Sequence, residues 1–198
     1  RPYLVSEFGP KGYWDPKYNE TKNNSVIEES DPEKADWYKK QWTSYVNSYK
    51  GYNIGGFAYC WHDRMEGSYT WFGLTDFKGR PKPAYYALKE VWTGVTQETL
   101  PEFTINCPAE LKPGVEYAFA AVTKTKNTSD LKYEWRLLKD EYLDKVDEID
   151  ISEDPSKVTI TIPKEPSDYR LYLYVVDKNN QRVTTASVPI KVSKRIPQ

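Results

Sequence analysis

The stretch YLVSEFGP, Tyr3 to Pro10, decides how the first half of this chain reads. Tyr3 to Ser6 is apolar enough for a buried strand. A carboxylate, Glu7, then stands where the strand ends, followed by Phe8, Gly9 and Pro10. An ionised carboxylate is rarely buried without a partner. At the C-terminal end of a parallel strand it instead faces the mouth where α/β folds gather their functional groups. A solvated strand-end acid, paired with Arg64, is the plain structural alternative.

Outward from this strand, Gly9 to Glu29 is polar and rich in Asn, Lys and Tyr, and reads as a long loop. SDPEKADWYKKQWTSYVNSYKGYN then opens with helix signals: Ser30 or Asp31 as N-cap, Pro32 in the first turn, and Glu33 at the positive end of the dipole. Trp37, Tyr38, Gln41, Trp42, Tyr45, Val46 and Tyr49 recur at three and four, which makes one helical face, and Gly51 stops the helix. NIGGFAYCW is a second short apolar run, ending in His62, Asp63 and Arg64. EGSYTWFGLTDFKGRPKP is turn-rich, and PAYYALKEVWTG is a closing helix between Pro83 and Gly94. Strand, helix, strand, helix with apolar strands is the pattern of parallel α/β packing.

After VTQETLPEF the pattern changes. Residues 103–106, 116–122, 131–138, 157–162, 169–176 and 183–192 are β-branched and aromatic, partly alternating, and separated by turn residues. Such spacing predicts an immunoglobulin-like sandwich with Trp135 in its core and PSDYRLYLYVVDKNNQ as a long inner strand. The expected domains are 1–97 and 98–198.

The chain has 198 residues, 28 basic against 29 acidic, with a net charge of -1. No basic field draws it to nucleic acid or to an anionic membrane, and no apolar run approaches a membrane span. It opens on Arg, so the expectation is a start that has been cut, with compartment left unmarked. Cys60 and Cys107 fall in different expected domains and are expected to be free thiols; one His with two distant Cys makes no metal site, and no cofactor is expected. Aromatic residues reach 15 %, with 7 Trp and 17 Tyr. Large aromatic cores account for part of this. The other source is carbohydrate handling, because sugar C–H faces stack on aromatic rings.

PYLVSEFG, GGFAYCWHD and TWFGLTDFKGRPKPAYYALKEVW, in this order and spacing, resemble the last two βα units of a (β/α)8-barrel retaining glycoside hydrolase of family 2, the clan of β-galactosidases, β-glucuronidases and β-mannosidases. The likeness covers about the first 94 residues; the remainder resembles the immunoglobulin-like or PKD-like modules appended to such enzymes. The expected fold is therefore α/β plus all-β, a partial barrel followed by a sandwich. The resemblance implies Glu7 as catalytic nucleophile and Trp61 as a platform for a sugar ring. His62, Trp14 and Trp71 are further candidate substrate contacts, with Tyr142 as another stacking residue. It implies a β-linked oligo- or polysaccharide substrate, an acid/base on an earlier strand outside this chain, and an extracellular or periplasmic location. A two-unit segment cannot close a barrel, so its apolar faces would need the remainder of the parent barrel or another copy of the chain. Two other roles fit the same sequence: a non-catalytic carbohydrate-binding or adhesion module, and a structural spacer marked by tight packing of Glu98 to Phe103.

Overall fold

The computed structural model of the chain describes residues 1–18, 26–49, 51–108, 110–139, 155–178 and 181–192. Strands β1 (Tyr3–Phe8) and β2 (Asn53–Ala58) pair in parallel, with Val5 opposite Gly56 and Phe8 opposite Ala58. Between them lie a short 3-10 turn at Pro16–Tyr18 and helix α1 (Asp31–Gln41). Glu33 reaches back to the Ser30 backbone N–H at 2.9 Å, which fixes the start of α1. The predicted helix, capped at Ser30 or Asp31 and stopped by Gly51, ends earlier than expected. It widens at Trp42–Val46 into a π-type turn closed by Asn47 N–H donating to the Trp42 carbonyl, and Tyr45 and Tyr49 are exposed. Helix α2 (Pro83–Thr93) starts on Pro83 and ends at Gly94, whose φ of 73° suits only glycine comfortably.

One face of the strand pair is buried on the helices. Phe8, with Val5 and Ala58, packs against Ala35, Tyr38, Val46, Ala84 and Leu88. The expected pair of barrel units is corrected here. β1 and β2 pair only with each other, and they form one of three small sheets in a strand-rich chain with two short helices. Among the described residues no (β/α) barrel unit is evident, because no further strand continues the sheet on either side. The residues after β2 return as loops and isolated bridges, such as His62 to Thr75, in place of further strands.

Among the described residues the other six strands are β3 (Thr104–Asn106), β4 (Glu116–Val122), β5 (Leu131–Lys139), β6 (Lys157–Thr161), β7 (Ser167–Asp177) and β8 (Val183–Val192). They form two antiparallel three-stranded sheets, ordered β3-β4-β6 and β5-β7-β8. The six strands lie near the six predicted segments, but among the described residues they form two layers of three strands, one strand fewer than the seven of an immunoglobulin domain. The layers share a core of Phe119, Val158 and Ile160 against Trp135, Leu171 and Leu173.

Strand β7 explains how the halves join. It is buried from Tyr169 to its end, and its side chains alternate. Tyr169, Leu171, Leu173 and Val175 enter the core between the layers. Tyr172, Tyr174 and Val176 face the other way, with Tyr69 packed against them and Phe77 edge-on to Tyr174 at 5.2 Å.

Polar links complete the junction. Arg80 grips Glu134 with both terminal nitrogens, at 2.7 and 2.9 Å, while its Nε donates to Asp76. Thr185 donates N–H and hydroxyl to Asp31 Oδ2, and Val183 N–H donates to the Pro81 carbonyl. Leu100 and Phe103 are buried, and the Glu98 carbonyl accepts from Arg182, so the connecting segment is packed down. Cys60 and Cys107 are free. Among the described residues no helix is long and apolar enough to cross a membrane.

Candidate functional site

Parallel pairing puts the C-terminal ends of β1 and β2 side by side. Tyr59 N–H donates to the Phe8 carbonyl at 2.8 Å. The chain then returns alongside itself, with Cys60 N–H donating to the Phe72 carbonyl at 3.1 Å and Leu74 N–H to the Cys60 carbonyl at 2.9 Å. The Tyr38 hydroxyl, from α1, sits between the Tyr59 and Phe72 carbonyls and ties both segments to the helix. The residue after Phe8 has to be small. A Cβ on Gly9 would stand 2.9 Å from the Tyr59 carbonyl oxygen and 3.2 Å from the Tyr38 ring.

A cavity of about 390 Å³ opens at this end, lined by Glu7, Trp14, Tyr59, Glu66 and Phe72, with Phe8, Gly9 and Pro10 at its base. Glu7 is exposed on β1. The expected alternative partner, Arg64, lies elsewhere: its Nε is 3.5 Å from Glu66, and its guanidinium covers the Tyr59 ring at 5.7 Å. Tyr59 donates its hydroxyl to Glu66 Oε2 at 2.5 Å. That hydrogen bond, with burial adding to it, pushes the Tyr59 phenol up to about 12, so it stays a donor throughout the neutral range.

Trp14 is 65 % exposed and forms one wall, tilted against Phe72 at 6.2 Å. Its ring lies over Gly12, where a Cβ would come within 2.3 Å of it. The loop bearing Trp14 is held from below by Trp71. The Trp71 Nε1–H donates to the Lys11 carbonyl at 2.8 Å, and its ring meets Tyr13 and Tyr18 edge-on. Trp71 is 2 % exposed and does not line the cavity; it is an anchor. Trp71→Ala is expected to lower stability by about 3–5 kcal/mol, and Trp71→Phe by clearly less. A urea titration checks this; equal losses would mean that the indole N–H holds the loop, not the ring.

Trp61 is 58 % exposed and leans edge-on against Tyr85 and His62. His62 is exposed, with its Nδ1 2.8 Å from the Thr75 hydroxyl. Neither lines the cavity that holds Glu7. Of the predicted site residues the structure therefore brings Glu7 and Trp14 together, and sets Trp61, His62 and Trp71 apart from them. Tyr142 lies outside the described residues. Among those residues no group of three His, Cys, Asp or Glu could hold a metal ion.

Tyr59, Glu66 and Phe72 were not legible as site residues. Glu66 reads in sequence as part of a solvated charge cluster with Asp63 and Arg64. The only signal was its place shortly after the end of a strand that runs parallel to the one bearing Glu7. Compared with known proteins, the chain matches no protein-family model, no curated protein and no solved structure.

Proposed function

We propose that this cavity binds a sugar and that Glu7 is the nucleophile of a retaining glycoside hydrolase acting on β-linked oligo- or polysaccharide. The observation that carries the proposal is the shared cavity itself: a strand-end carboxylate facing the aromatic rings of Trp14, Tyr59 and Phe72. Aromatic faces take the C–H faces of a sugar, and carboxylates accept from its hydroxyls. In retaining hydrolysis two carboxyl groups stand about 5–5.5 Å apart. Glu7 attacks the anomeric carbon, and the bond to the leaving oxygen breaks. The second carboxyl group, supplied from outside this chain, protonates that oxygen and then activates water. A polymeric substrate places the work outside the cell or in a periplasm.

The nucleophile can be tested without the acid. The probe is a β-glycoside with fluorine beside the anomeric carbon and a dinitrophenolate leaving group, which departs unprotonated. Glu7 then gains a stable glycosyl ester as dinitrophenolate is released. The expected result is one added sugar by mass spectrometry, located on the peptide containing Glu7. In Glu7→Gln labelling falls by roughly a thousandfold or more. Labelling elsewhere, or none in a folded protein, removes Glu7 as nucleophile.

A non-catalytic sugar-binding site is the second reading, favoured by the open, exposed ring of Trp14. It predicts sugar binding that survives Glu7→Gln, is lost in Trp14→Ala, and is accompanied by no labelling.

A further inference from the structure

Among the described residues the walls of the cavity carry two carboxylates, Glu7 and Glu66, and no cationic side chain. Glu66 is also the more constrained of the two. Its Oε2 accepts the Tyr59 hydroxyl at 2.5 Å and lies 3.5 Å from Arg64 Nε, while among the described residues Oε1 has no hydrogen-bond partner. The charge of Arg64 is engaged by Glu66, and its guanidinium lies over the Tyr59 ring at 5.7 Å. A carboxylate held by one oxygen presents the other in a fixed direction. That suits a sugar hydroxyl, which can donate, and opposes a sugar carboxylate, which cannot.

We propose that Glu66, positioned by Tyr59, is a specificity-determining residue that selects uncharged sugars and rejects uronic acids. The inference rests on the sugar-binding reading of the cavity and narrows its substrate class. Specificity here comes chiefly from an unfavourable element. A uronate would bring a third negative charge into a partly enclosed space that already holds two. A neutral hexose gains the hydroxyl contact to Oε1 instead.

The test uses saturation-transfer NMR and calorimetry on the 198-residue chain at neutral pH. The probes are the methyl β-glycosides of glucose, galactose and mannose, methyl β-glucuronide, and the methyl ester of that glucuronide. The expected result is binding of at least one neutral hexoside, and of the ester at least about tenfold more tightly than the ionised glucuronide. Glu66→Gln keeps the shape and removes the charge, and is expected to shrink that ratio to about two or three. The ester-to-acid comparison on the unaltered protein needs no variant, so it stands even if Glu66→Gln folds poorly. Binding of the ionised glucuronide as tight as its ester overturns the inference while leaving the sugar site intact, and so does an unchanged ratio in a folded Glu66→Gln. Binding of no sugar at all removes the sugar site, and the inference with it.

Discussion

Glu28→Ala is expected to lower the unfolding free energy by about 3–5 kcal/mol, the usual penalty for breaking a buried ion pair from one side. The Glu28 side chain is 5 % exposed, as is that of its partner Lys34. Its Oε1 also accepts the Thr70 hydroxyl at 2.7 Å, and its Oε2 accepts the hydroxyls of Ser68 at 2.7 Å and Ser187 at 2.8 Å. Removing the carboxylate leaves the buried Lys34 ammonium with only the Thr70 carbonyl and Asp31, and takes a partner from the buried hydroxyls of Ser68 and Thr70, each at a desolvation cost. Ser187 lies on β8, so the same carboxylate joins the helix-bearing half to the β5-β7-β8 sheet. Burial alone would raise the Glu28 pKa. The charges of Lys34 and Arg170 and the donated hydrogen bonds outweigh it and hold the group at about 2. A depressed carboxylate contributes stability that is present above its unfolded pKa and is lost as pH falls from about 4.5 toward 2. Urea melts at neutral pH and near pH 3 check both parts. A loss under about 1 kcal/mol at neutral pH would show that this network is replaceable.

The same network shows why some of the structure was legible in sequence and some was not. Strand β7 was legible because the period-two alternation of Leu171 and Leu173 against Tyr172 and Tyr174 survives burial of both faces. Helix α2 was legible because Pro83 and Gly94 mark its ends chemically. In α1 the buried residues are Asp31, Lys34, Ala35 and Tyr38, so two of the four are charged. A hydrophobic-period search discards those positions and follows the aromatic residues to Tyr45 and Tyr49, which are exposed. Glu28 sat in a segment that read only as a polar loop. Pattern marks which residues are apolar. It does not mark which polar groups meet across more than a hundred residues, as Asp31 and Thr185 do. The barrel expectation failed for a related reason. β1, α1, β2 and α2 are each present near their predicted places, but closure depends on strands pairing beyond them, which no local motif encodes. At the cavity, Glu7 was legible because its strand ends on it. Glu66 and Tyr59 were not, because their role depends on the chain returning past Phe8.

The second large effect concerns Lys82, which is 1 % exposed at the start of α2. Its ammonium donates to Asp63 Oδ1 at 3.0 Å and to the Thr70 carbonyl at 2.8 Å, and lies 3.6 Å from Asp31 Oδ1. Burial works against its charge, but the surrounding Asp31, Asp63 and Glu28 prevail, and its pKa stays above the ordinary lysine value. Lys82 therefore contributes stability that is fully present below its unfolded pKa and is lost only in strong alkali. Asp63 behaves oppositely. Its Oδ2 is buried and has no hydrogen-bond partner among the described residues, and burial, only partly offset by Lys82, raises its pKa to about 7. Between its unfolded value of 3.8 and about 7 the native state keeps a proton that the unfolded chain gives up. Stability attributable to Asp63 thus falls as pH rises through that window and levels off above it, by on the order of 4 kcal/mol. Together with the acid limb from Glu28, this places maximum stability at mildly acidic pH. Lys82→Met is expected to lose about 3–5 kcal/mol at pH 8, because Asp63 then lacks its cation and Asp31 keeps only Lys34, at 3.6 Å. The loss shrinks near pH 5, where Asp63 is protonated and needs none. Asp63→Asn is expected to flatten the slope between pH 5 and pH 8 while leaving the acid limb unchanged. Thermal melts of the three proteins across that range decide the matter. If the unaltered protein is equally stable at both ends, Asp63 is ionised throughout, and Lys82 compensates its burial fully.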